Sequence, residues 1–475
     1  MKNVKLLMWI VVVIITFTAC PNKKDEPTTD DSEQELRDSL LQVKAQTFLV
    51  NEWVNDVMEE VYYWNNYIPS SLTPDSTTDP EDFFEEHLYS SDKWSYITSD
   101  YEALSGELSG EPVSMGYSPY FTLVSDEQVI IIVEYVYPDS PADKAGLERG
   151  DVILTINEKE LTIDNYYTLY SGSSYTAGIG FITNSTGSFS IIDAGKTISM
   201  TAEVIEADPV LYSDILEISN KKIGYLVYVS YTSGDSDQYL TSLGNAISAM
   251  AQEGIDDLIV DLRYNSGGEL YAAQFLTSAI APASVVNAGE ILVNLDYNDL
   301  YNEYFEAYYP EELYYTFEPN KYNLDMSKVY FLTAGYTASA SELTIIGLEP
   351  YMDVITVGEY TYGKYTGMWV IPDTEEPARH NYAMMPVVMK YENANGYTDF
   401  ADGLTPDYEI DDDGLLLGVP FGDLEDPILA KAVEDITGLK SARTTNTFSS
   451  RPELVPLVSK KMDRKMNLIV PSELK

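Results

Sequence analysis

One short stretch shows most clearly how the first part of the chain folds: QVIIIVEYVYPDSPADKAGLERGDVILTINEKEL, residues 128–161. Its β-branched run at residues 129–136 predicts a strand. The sequence SPADKAG at residues 140–146 predicts a short helix with proline at its first position and a glycine C-cap. Gly150 and Asp151 predict a turn before a second strand at residues 152–157. Short strands and turns of this kind extend over residues 114–206, which predicts a small β-rich domain.

This string resembles a PDZ domain of the type carried by bacterial proteases. The resemblance implies that an extended C-terminal peptide binds by adding a strand to a sheet edge. The loop that holds the peptide carboxylate should precede the first peptide-binding strand, and Met115, Gly116 and Tyr117 are the candidates. The alternative is a small β-domain that binds no ligand.

The segments on either side have different patterns. Residues 33–101 carry apolar residues at helical spacing and predict a small helical region. From residue 212 onward strands and helices alternate, which predicts helices on a mostly parallel sheet. The predicted fold class is therefore α/β and multidomain. The predicted boundaries are a signal peptide at 1–19, a flexible tether at 20–35, a helical region at 36–110, a PDZ-like domain at 114–206, an α/β domain at 207–438 and a basic tail at 439–475.

The composition excludes several kinds of function. The 475 residues contain 28 Lys and Arg against 77 Asp and Glu, a formal net charge of −49, which argues against nucleic-acid binding. With two histidines and one cysteine, neither a Cys/His zinc cluster nor an intrachain disulfide can form. We predict no metal and no cofactor, and we expect His87 and His380 to be surface residues.

The N-terminus accounts for the one cysteine. Lys2 and Lys5 precede a short apolar run at residues 6–17, and Thr18, Ala19 and Cys20 follow. This motif resembles a bacterial lipoprotein lipobox, although Phe17 is less usual than leucine at its position. The resemblance implies cleavage before Cys20, lipidation of its thiol, and a location in the bacterial cell envelope, periplasmic or on the outer-membrane surface. The alternative is an uncleaved signal anchor.

Three segments carry candidate chemistry. DLRYNSGG at residues 261–268 follows a buried strand, and its glycines leave backbone N–H groups open to a cleft. TAGYTASASE at residues 333–342 places Ser339 at a helix start, where it could be a nucleophile or, with Glu342, a capping box. VGEYTYGK at residues 357–364 presents Lys364, which alone would be a solvated lysine. One helix and one returning strand separate Ser339 from Lys364, so both can meet at one sheet edge. A serine needs a base, and a lysine serves only if burial lowers its pKa from about 10.4.

These segments, in this order behind a PDZ-like domain, resemble the carboxyl-terminal processing peptidases, or tail-specific proteases. The similarity covers roughly residues 40–435 and includes GLTPD at residues 403–407. It implies a catalytic domain of the ClpP/crotonase-like type, with Ser339 as nucleophile and Lys364 as general base. The oxyanion donors fall on Gly267 or Gly268, between which the sequence does not choose, and on Ala340.

The sequence departs from the family pattern at two positions. Met368 stands where many members have a glutamine that orients the lysine, and Pro350 stands where some have a second acidic group. Thr366 or a backbone carbonyl would then orient Lys364. The leading hypothesis is a lipid-anchored serine endopeptidase with polypeptide substrates, of undetermined oligomeric state. The alternatives are a peptide-binding envelope lipoprotein with the same fold but weak or no catalysis, and a different hydrolase, for which no Gly-x-Ser-x-Gly motif is present.

Overall fold

The computed structural model of the chain describes residues 29–185 and 188–439, together with two short strands, Val455–Pro456 and Leu468–Ile469. The predicted signal peptide, the lipidation site Cys20 and most of the basic tail lie outside these residues. Within the described residues, no helix is long and apolar enough to cross a membrane, and no cluster of His, Cys, Asp and Glu side chains could hold a metal ion.

The N-terminal region is mainly helical, as predicted. Its elements are α1 (Thr29–Val61), α2 (Pro80–Glu85), β1 (Tyr96–Thr98) and α3 (Tyr101–Ser109), with a 3-10 turn at Asn65–Tyr67. Proline at the first position of α2 and the Asp79 carboxylate, which accepts from the Glu81 N–H, explain where that helix begins. An apolar cluster joins this region to the C-terminal half of the chain, because Val54, Met58 and Phe84 are buried together with Met368 and Met385.

The β-rich region contains most of the antiparallel pairing. Its elements are β2 (Val113–Ser114), β3 (Tyr117–Leu123), β4 (Gln128–Val136), α4 (Pro141–Lys144), β5 (Asp151–Ile156), β6 (Lys159–Thr162), α5 (Tyr166–Tyr170), β7 (Ser174–Ser185), β8 (Ser188–Thr201) and β9 (Glu203–Val204). The predicted strands and the predicted short helix are present, and the Ser140 hydroxyl caps α4 by accepting from the Asp143 N–H. Six of these strands form one sheet in the order β3-β4-β6-β5-β7-β8.

Strands and helices alternate through the next region. Its elements are β10 (Val210–Ile218), β11 (Lys221–Tyr228), α6 (Gln238–Glu253), β12 (Asp257–Asp261), β13 (Gly268–Glu269), α7 (Leu270–Ile280), α8 (Ala283–Ala288), β14 (Ile291–Tyr297), α9 (Asp299–Tyr308), β15 (Tyr314–Thr316), β16 (Lys328–Thr333), α10 (Ala340–Leu348) and β17 (Asp353–Gly358), with 3-10 turns at Asp235–Asp237 and Pro310–Leu313.

The remaining elements are β18 (Thr366–Met368), β19 (Ile371–Pro372), β20 (Ala383–Met385), β21 (Val387–Asn393), β22 (Tyr408–Glu409), α11 (Asp413–Leu416), α12 (Pro427–Thr437), β23 (Val455–Pro456) and β24 (Leu468–Ile469).

The central sheet positions the candidate residues. Its order is β10-β11-β12-β16-β17-β22, and all pairs except β10–β11 are parallel. Strand β12 is buried on both faces, as its apolar run predicts. Because β12, β16 and β17 are parallel, the loops that follow them lie at one sheet edge, and these loops contain the three candidate segments. The mixed α/β, multidomain organisation is therefore confirmed.

Candidate functional site

Ser339 lies between β16 and α10 in an unusual backbone conformation. Its φ of 59° and ψ of −112° are sterically costly for a residue with a side chain. The residue is fully buried, and its hydroxyl has no hydrogen-bond partner among the described residues. It directly precedes the N-terminus of α10, where the helix dipole favours negative charge. This strained strand-to-helix turn resembles the geometry of a nucleophile elbow, although the sequence lacks the glycines of that motif.

Lys364 lies in the loop between β17 and β18, and its side chain is completely buried. Burial lowers the pKa of Lys364 from 10.5 to about 7, while the charges of Asp92 and Glu342 raise it. Lys364 is therefore a buried lysine and not a solvated one. Its Nζ lies 3.7 Å from the sulfur of Met368, the residue that stands in place of the family glutamine. A thioether accepts a hydrogen bond only weakly, and burial favours the neutral form of the amine.

Glu342 joins the backbones of the serine and the lysine. Its Oε2 accepts hydrogen bonds from the N–H groups of Ser339 and Lys364, both at 2.8 Å. Its Oε1 accepts from the Gly363 N–H at 2.6 Å and from the Thr361 hydroxyl at 2.5 Å. Burial raises the pKa of Glu342 to about 7, and these four donors oppose the increase. The Glu342 half of the predicted capping box is thus present, and the same carboxylate also fixes the lysine loop.

Tyr391 on β21 makes a second connection between the same two residues. Its buried hydroxyl lies 3.0 Å from the carbonyl of Ser339 and 2.7 Å from that of Lys364, and a single proton is shared between these acceptors. Burial raises the pKa of Tyr391 well above 10, so the hydroxyl stays protonated. Glu342 and Tyr391 together hold the N–H and C=O groups of Ser339 and Lys364.

The glycine turn after β12 is fixed by Asn265. Its side chain donates to the Tyr228 carbonyl at 2.9 Å and accepts from the Gly267 N–H at 2.9 Å. The N–H of Gly267 is therefore used within the turn. Gly268 packs against Tyr231 so closely that a Cβ would lie 2.2 Å from the Tyr231 carbonyl oxygen. This contact explains the glycine at position 268, and it distinguishes the two glycines that the sequence left equivalent.

The GLTPD segment at residues 403–407 supports the lysine loop. The Leu404 N–H donates to the Thr361 hydroxyl oxygen at 2.7 Å, and that hydroxyl in turn donates to Glu342. The Asp407 carboxylate accepts from the N–H of Thr356 on β17 at 2.8 Å. The late turn therefore acts on the site through Thr361 and the end of β17.

A buried ionic cluster lies under the glycine turn and reaches the β-rich region. Arg263 pairs with Asp261, Asp412 and Asp426, at N–O distances of 2.6, 3.0 and 2.7 Å. Arg149, which precedes β5, donates to the hydroxyl of Tyr264 at 2.6 Å. The β-rich region is thus connected to the segment that carries Gly267 and Gly268.

The structure brings Ser339, Ala340, Lys364, Gly267 and Gly268 to one sheet edge. The candidate residues Met115, Gly116 and Tyr117 belong to the β-rich region, at the start of β3. There Met115 and Tyr117 are buried in the core, and the Gly116 N–H donates to the Ser114 hydroxyl at 3.0 Å.

The expectation for His87 is wrong, because this residue is buried and its Nδ1 lies 2.9 Å from the Phe83 carbonyl oxygen. Burial lowers the pKa of His87, so it is a neutral core histidine. His380 is partly buried and lies against Trp53, with ring centroids 4.5 Å apart.

Sequence reasoning missed two residues at this site. Asp92 belongs to the N-terminal region, where its carboxylate accepts from the Tyr62 hydroxyl at 2.8 Å, and its charge acts on Lys364. Tyr391 is one of 39 tyrosines in the sequence. Neither lies in a motif, so no local signal marked them.

Comparison with known proteins assigns the three regions. The model of the peptidase S41 N-terminal domain matches residues 50–96, that of the PDZ domain residues 132–174, and that of peptidase family S41 residues 222–410. The chain belongs to peptidase family S41. The S41 match contains all three candidate segments, and the PDZ match contains residues 132–161 of the stretch that predicted the β-rich domain.

Individual relatives of this S41 protein are distant. A carboxyl-terminal-processing protease of Picosynechococcus is 24% identical over 308 residues, which cover 64% of each chain. A carboxy-terminal-processing protease of Bartonella bacilliformis is 25% identical over 290 residues, which cover 61% of this chain and 60% of that protein. The S41 protein thus spans somewhat under two thirds of the length of these curated relatives. The crystal structure of a Bacteroides fragilis protein assigned to the S41 proteases superimposes with a TM-score of 0.67 and 29% identity, covering 82% of this chain and 98% of the other.

Proposed function

We propose that this protein is a serine endopeptidase of the bacterial cell envelope, with Ser339 as nucleophile and Lys364 as general base. The observation that carries the proposal is a buried lysine with a pKa of about 7, fixed to a strained serine by Glu342 and Tyr391. A neutral amine at physiological pH is what a Ser-Lys pair requires, because an ammonium group cannot accept the serine proton.

The reaction follows from these positions. The Oγ of Ser339 bonds to a peptide carbonyl carbon while its proton moves to Nζ of Lys364. Collapse of the tetrahedral intermediate breaks the C–N bond, and Nζ returns the proton to the leaving amine. Water then hydrolyses the ester by the same proton route. The hydroxyl and the amine are not hydrogen-bonded here, and we propose that they come together when a substrate binds, because catalytic contacts are often longer in the free enzyme.

For the oxyanion donors, the hydrogen bonds of the turn favour Gly268 over Gly267. The Gly267 N–H donates to Asn265. The Gly268 N–H points away from Tyr231, because Tyr231 bonds to the backbone of Gly267 and Glu269 on either side of it. The second proposed donor is the Ala340 N–H, which belongs to the first turn of α10 and has no acceptor within that helix. Both relatives described above carry names of carboxyl-terminal-processing proteases, which supports polypeptide tails as the proposed substrates, recognised through the PDZ domain.

The decisive experiment is hydrolysis of fluorescently labelled casein by the full chain. Ser339→Ala and Lys364→Met should each reduce the rate by at least about a thousandfold, with unchanged circular dichroism. Ser248→Ala on α6 is the matched control and should retain the wild-type rate. Casein hydrolysis at the wild-type rate by Ser339→Ala would refute the assignment.

A second candidate function is peptide binding without hydrolysis. Met368 favours it, because a thioether lies against Lys364 Nζ where many family members have a glutamine. In that case the wild type and Ser339→Ala would bind labelled peptides equally, and neither would release fragments.

The envelope location is also a proposal, and it rests on the lipobox-like N-terminus. Expression in a bacterium with a radiolabelled fatty acid should label the wild type and leave Cys20→Ser unlabelled. Equal labelling of the two proteins would exclude the anchor.

A further inference from the structure

Part of the C-terminal tail pairs with the PDZ sheet. Strand β23 is antiparallel to β3, with Val455 opposite Leu123 and Pro456 opposite Thr122. It forms the outer edge of that sheet, in the order β23-β3-β4. Strand β3 begins directly after Met115 and Gly116, the candidate carboxylate-binding loop, so β23 lies where a PDZ domain adds a peptide strand.

A second part of the tail lies at the candidate active site. Strand β24 is parallel to β13, with Leu468 opposite Gly268 and Ile469 opposite Glu269. On its other side it is parallel to β18, where Ile469 is opposite Met368. The tail strand therefore separates the glycine turn from the strand that follows Lys364.

The backbone N–H and C=O groups of Gly268 are directed toward the tail strand. The Gly267 carbonyl accepts from the Tyr231 N–H at 2.9 Å, and the Glu269 N–H donates to the Tyr231 carbonyl at 2.6 Å. Gly268 lies between Gly267 and Glu269. In parallel pairing of this kind, the N–H and C=O groups of the middle residue are directed to the opposite side. That side is occupied by β24, so the N–H proposed to stabilise an oxyanion faces the tail.

The charge of the tail and the length of the segment between β23 and β24 are both consistent with the tail lying at these two places. Residues 440–475 contain eight basic and three acidic residues, which leaves 20 basic and 74 acidic residues in the first 439. Opposite charges favour association of the tail with the rest of the chain. The 11 residues between β23 and β24 can span about 40 Å when extended. Tyr120 on β3 lies 6.1 Å, ring centroid to ring centroid, from Tyr336 in the loop before Ser339, so the PDZ edge and the catalytic loop are neighbours.

We propose that the C-terminal tail is an intramolecular ligand of this peptidase, which occupies both the PDZ edge and the catalytic cleft and competes with polypeptide substrates. The inference rests on the proposed function, because a competing ligand has an effect on turnover only if the cleft hydrolyses peptides. In the resting enzyme the chain end then closes the cleft, and a substrate must displace β23 from the PDZ edge and β24 from the catalytic site.

The test uses the full chain with proline at both β24 positions, Leu468→Pro together with Ile469→Pro. Proline removes the N–H groups that the strand needs on either side. The control is Ser459→Pro, which places a proline in the sequence between β23 and β24. If the tail fills the cleft about nine-tenths of the time, its release should lower the apparent KM for casein about tenfold. The control should keep the wild-type KM, and an equal decrease in the control would overturn the proposal.

Hydrogen exchange separates this inference from the proposed activity. In a Ser339→Ala background, the amides of residues 268–269 and 366–368 should exchange faster when β24 carries the two prolines, and they should be unchanged by Ser459→Pro. Faster exchange without casein hydrolysis by any variant would support the tail placement while contradicting the peptidase assignment. Unchanged exchange together with an unchanged KM would overturn the tail proposal, whatever the activity.

Discussion

Replacing Lys364 by methionine should stabilise the protein at neutral pH. The substitution preserves most of the side-chain volume and removes an amine that is completely buried. In the unfolded chain this amine titrates near 10.5, whereas burial lowers its pKa to about 7 in the folded state. Folding therefore expels a proton from Lys364 at every pH between these two values.

The magnitude follows from linkage. Between pH 7 and 10.5 the unfolded state binds more protons at this site, so the free energy of unfolding rises with pH by about 1.4 kcal/mol per pH unit. Burial of Lys364 therefore does not reduce the free energy of unfolding above pH 10.5, and it reduces this free energy increasingly as the pH falls toward 7. At pH 7 the wild type should be less stable than Lys364→Met by about 4 kcal/mol, and this difference should disappear near pH 10.5.

The assay is urea unfolding followed by tryptophan fluorescence between about pH 7 and pH 10. The matched control is Lys144→Met, because that side chain is 62% exposed. The control should have the same pH dependence as the wild type. A Lys364→Met midpoint that is at or below the wild-type midpoint at pH 7, or a difference that does not shrink with rising pH, would refute the buried neutral amine and with it the Ser-Lys hypothesis.

Other predictions concern the groups around Ser339 and Lys364. The casein hydrolysis rate of the wild type should rise with pH through a limb near pH 7, because Lys364 must be neutral; a limb near 10 in the measured profile would contradict this. Tyr391→Phe removes the donor shared by two carbonyls. In urea titration it should lower the free energy of unfolding by about 1–3 kcal/mol, and in steady-state kinetics it should lower kcat by a larger factor than it changes KM. Gly268→Ala should reduce casein hydrolysis by at least about a hundredfold, since a Cβ meets the Tyr231 carbonyl at 2.2 Å; a normal rate would mean that this N–H has no role. Arg149→Met breaks the bond to Tyr264 and should lower the urea midpoint, whereas Lys144→Met should leave it unchanged.

Much of the fold could be predicted because it depends on local patterns. Apolar runs and the proline and glycine residues that bound them predict strand β4, helix α4 and the parallel strands β12, β16 and β17. The meeting of the Ser339 and Lys364 loops followed from the rule that consecutive parallel strands end at one edge.

What the sequence did not show depends on contacts between distant segments. Asp92 acts on Lys364 across the boundary between the N-terminal and catalytic regions, and Tyr391 joins two loops from a strand of a second sheet. The choice between Gly267 and Gly268 needed the side chain of Asn265, which lies within the same turn but whose direction has no sequence signal. Each tail strand pairs with residues at least 101 positions away in the sequence (469 − 368), beyond any local pattern.

The backbone of Ser339 has a practical consequence for anyone who makes an inert form of this protein. Its φ of 59° and ψ of −112° correspond to a conformation that glycine adopts freely and alanine does not. Alanine would keep the torsional cost of the wild type, whereas glycine would relieve it. A glycine at this position should therefore give the more durable reagent for trapping bound polypeptides, with a higher melting temperature than either the alanine form or the native chain.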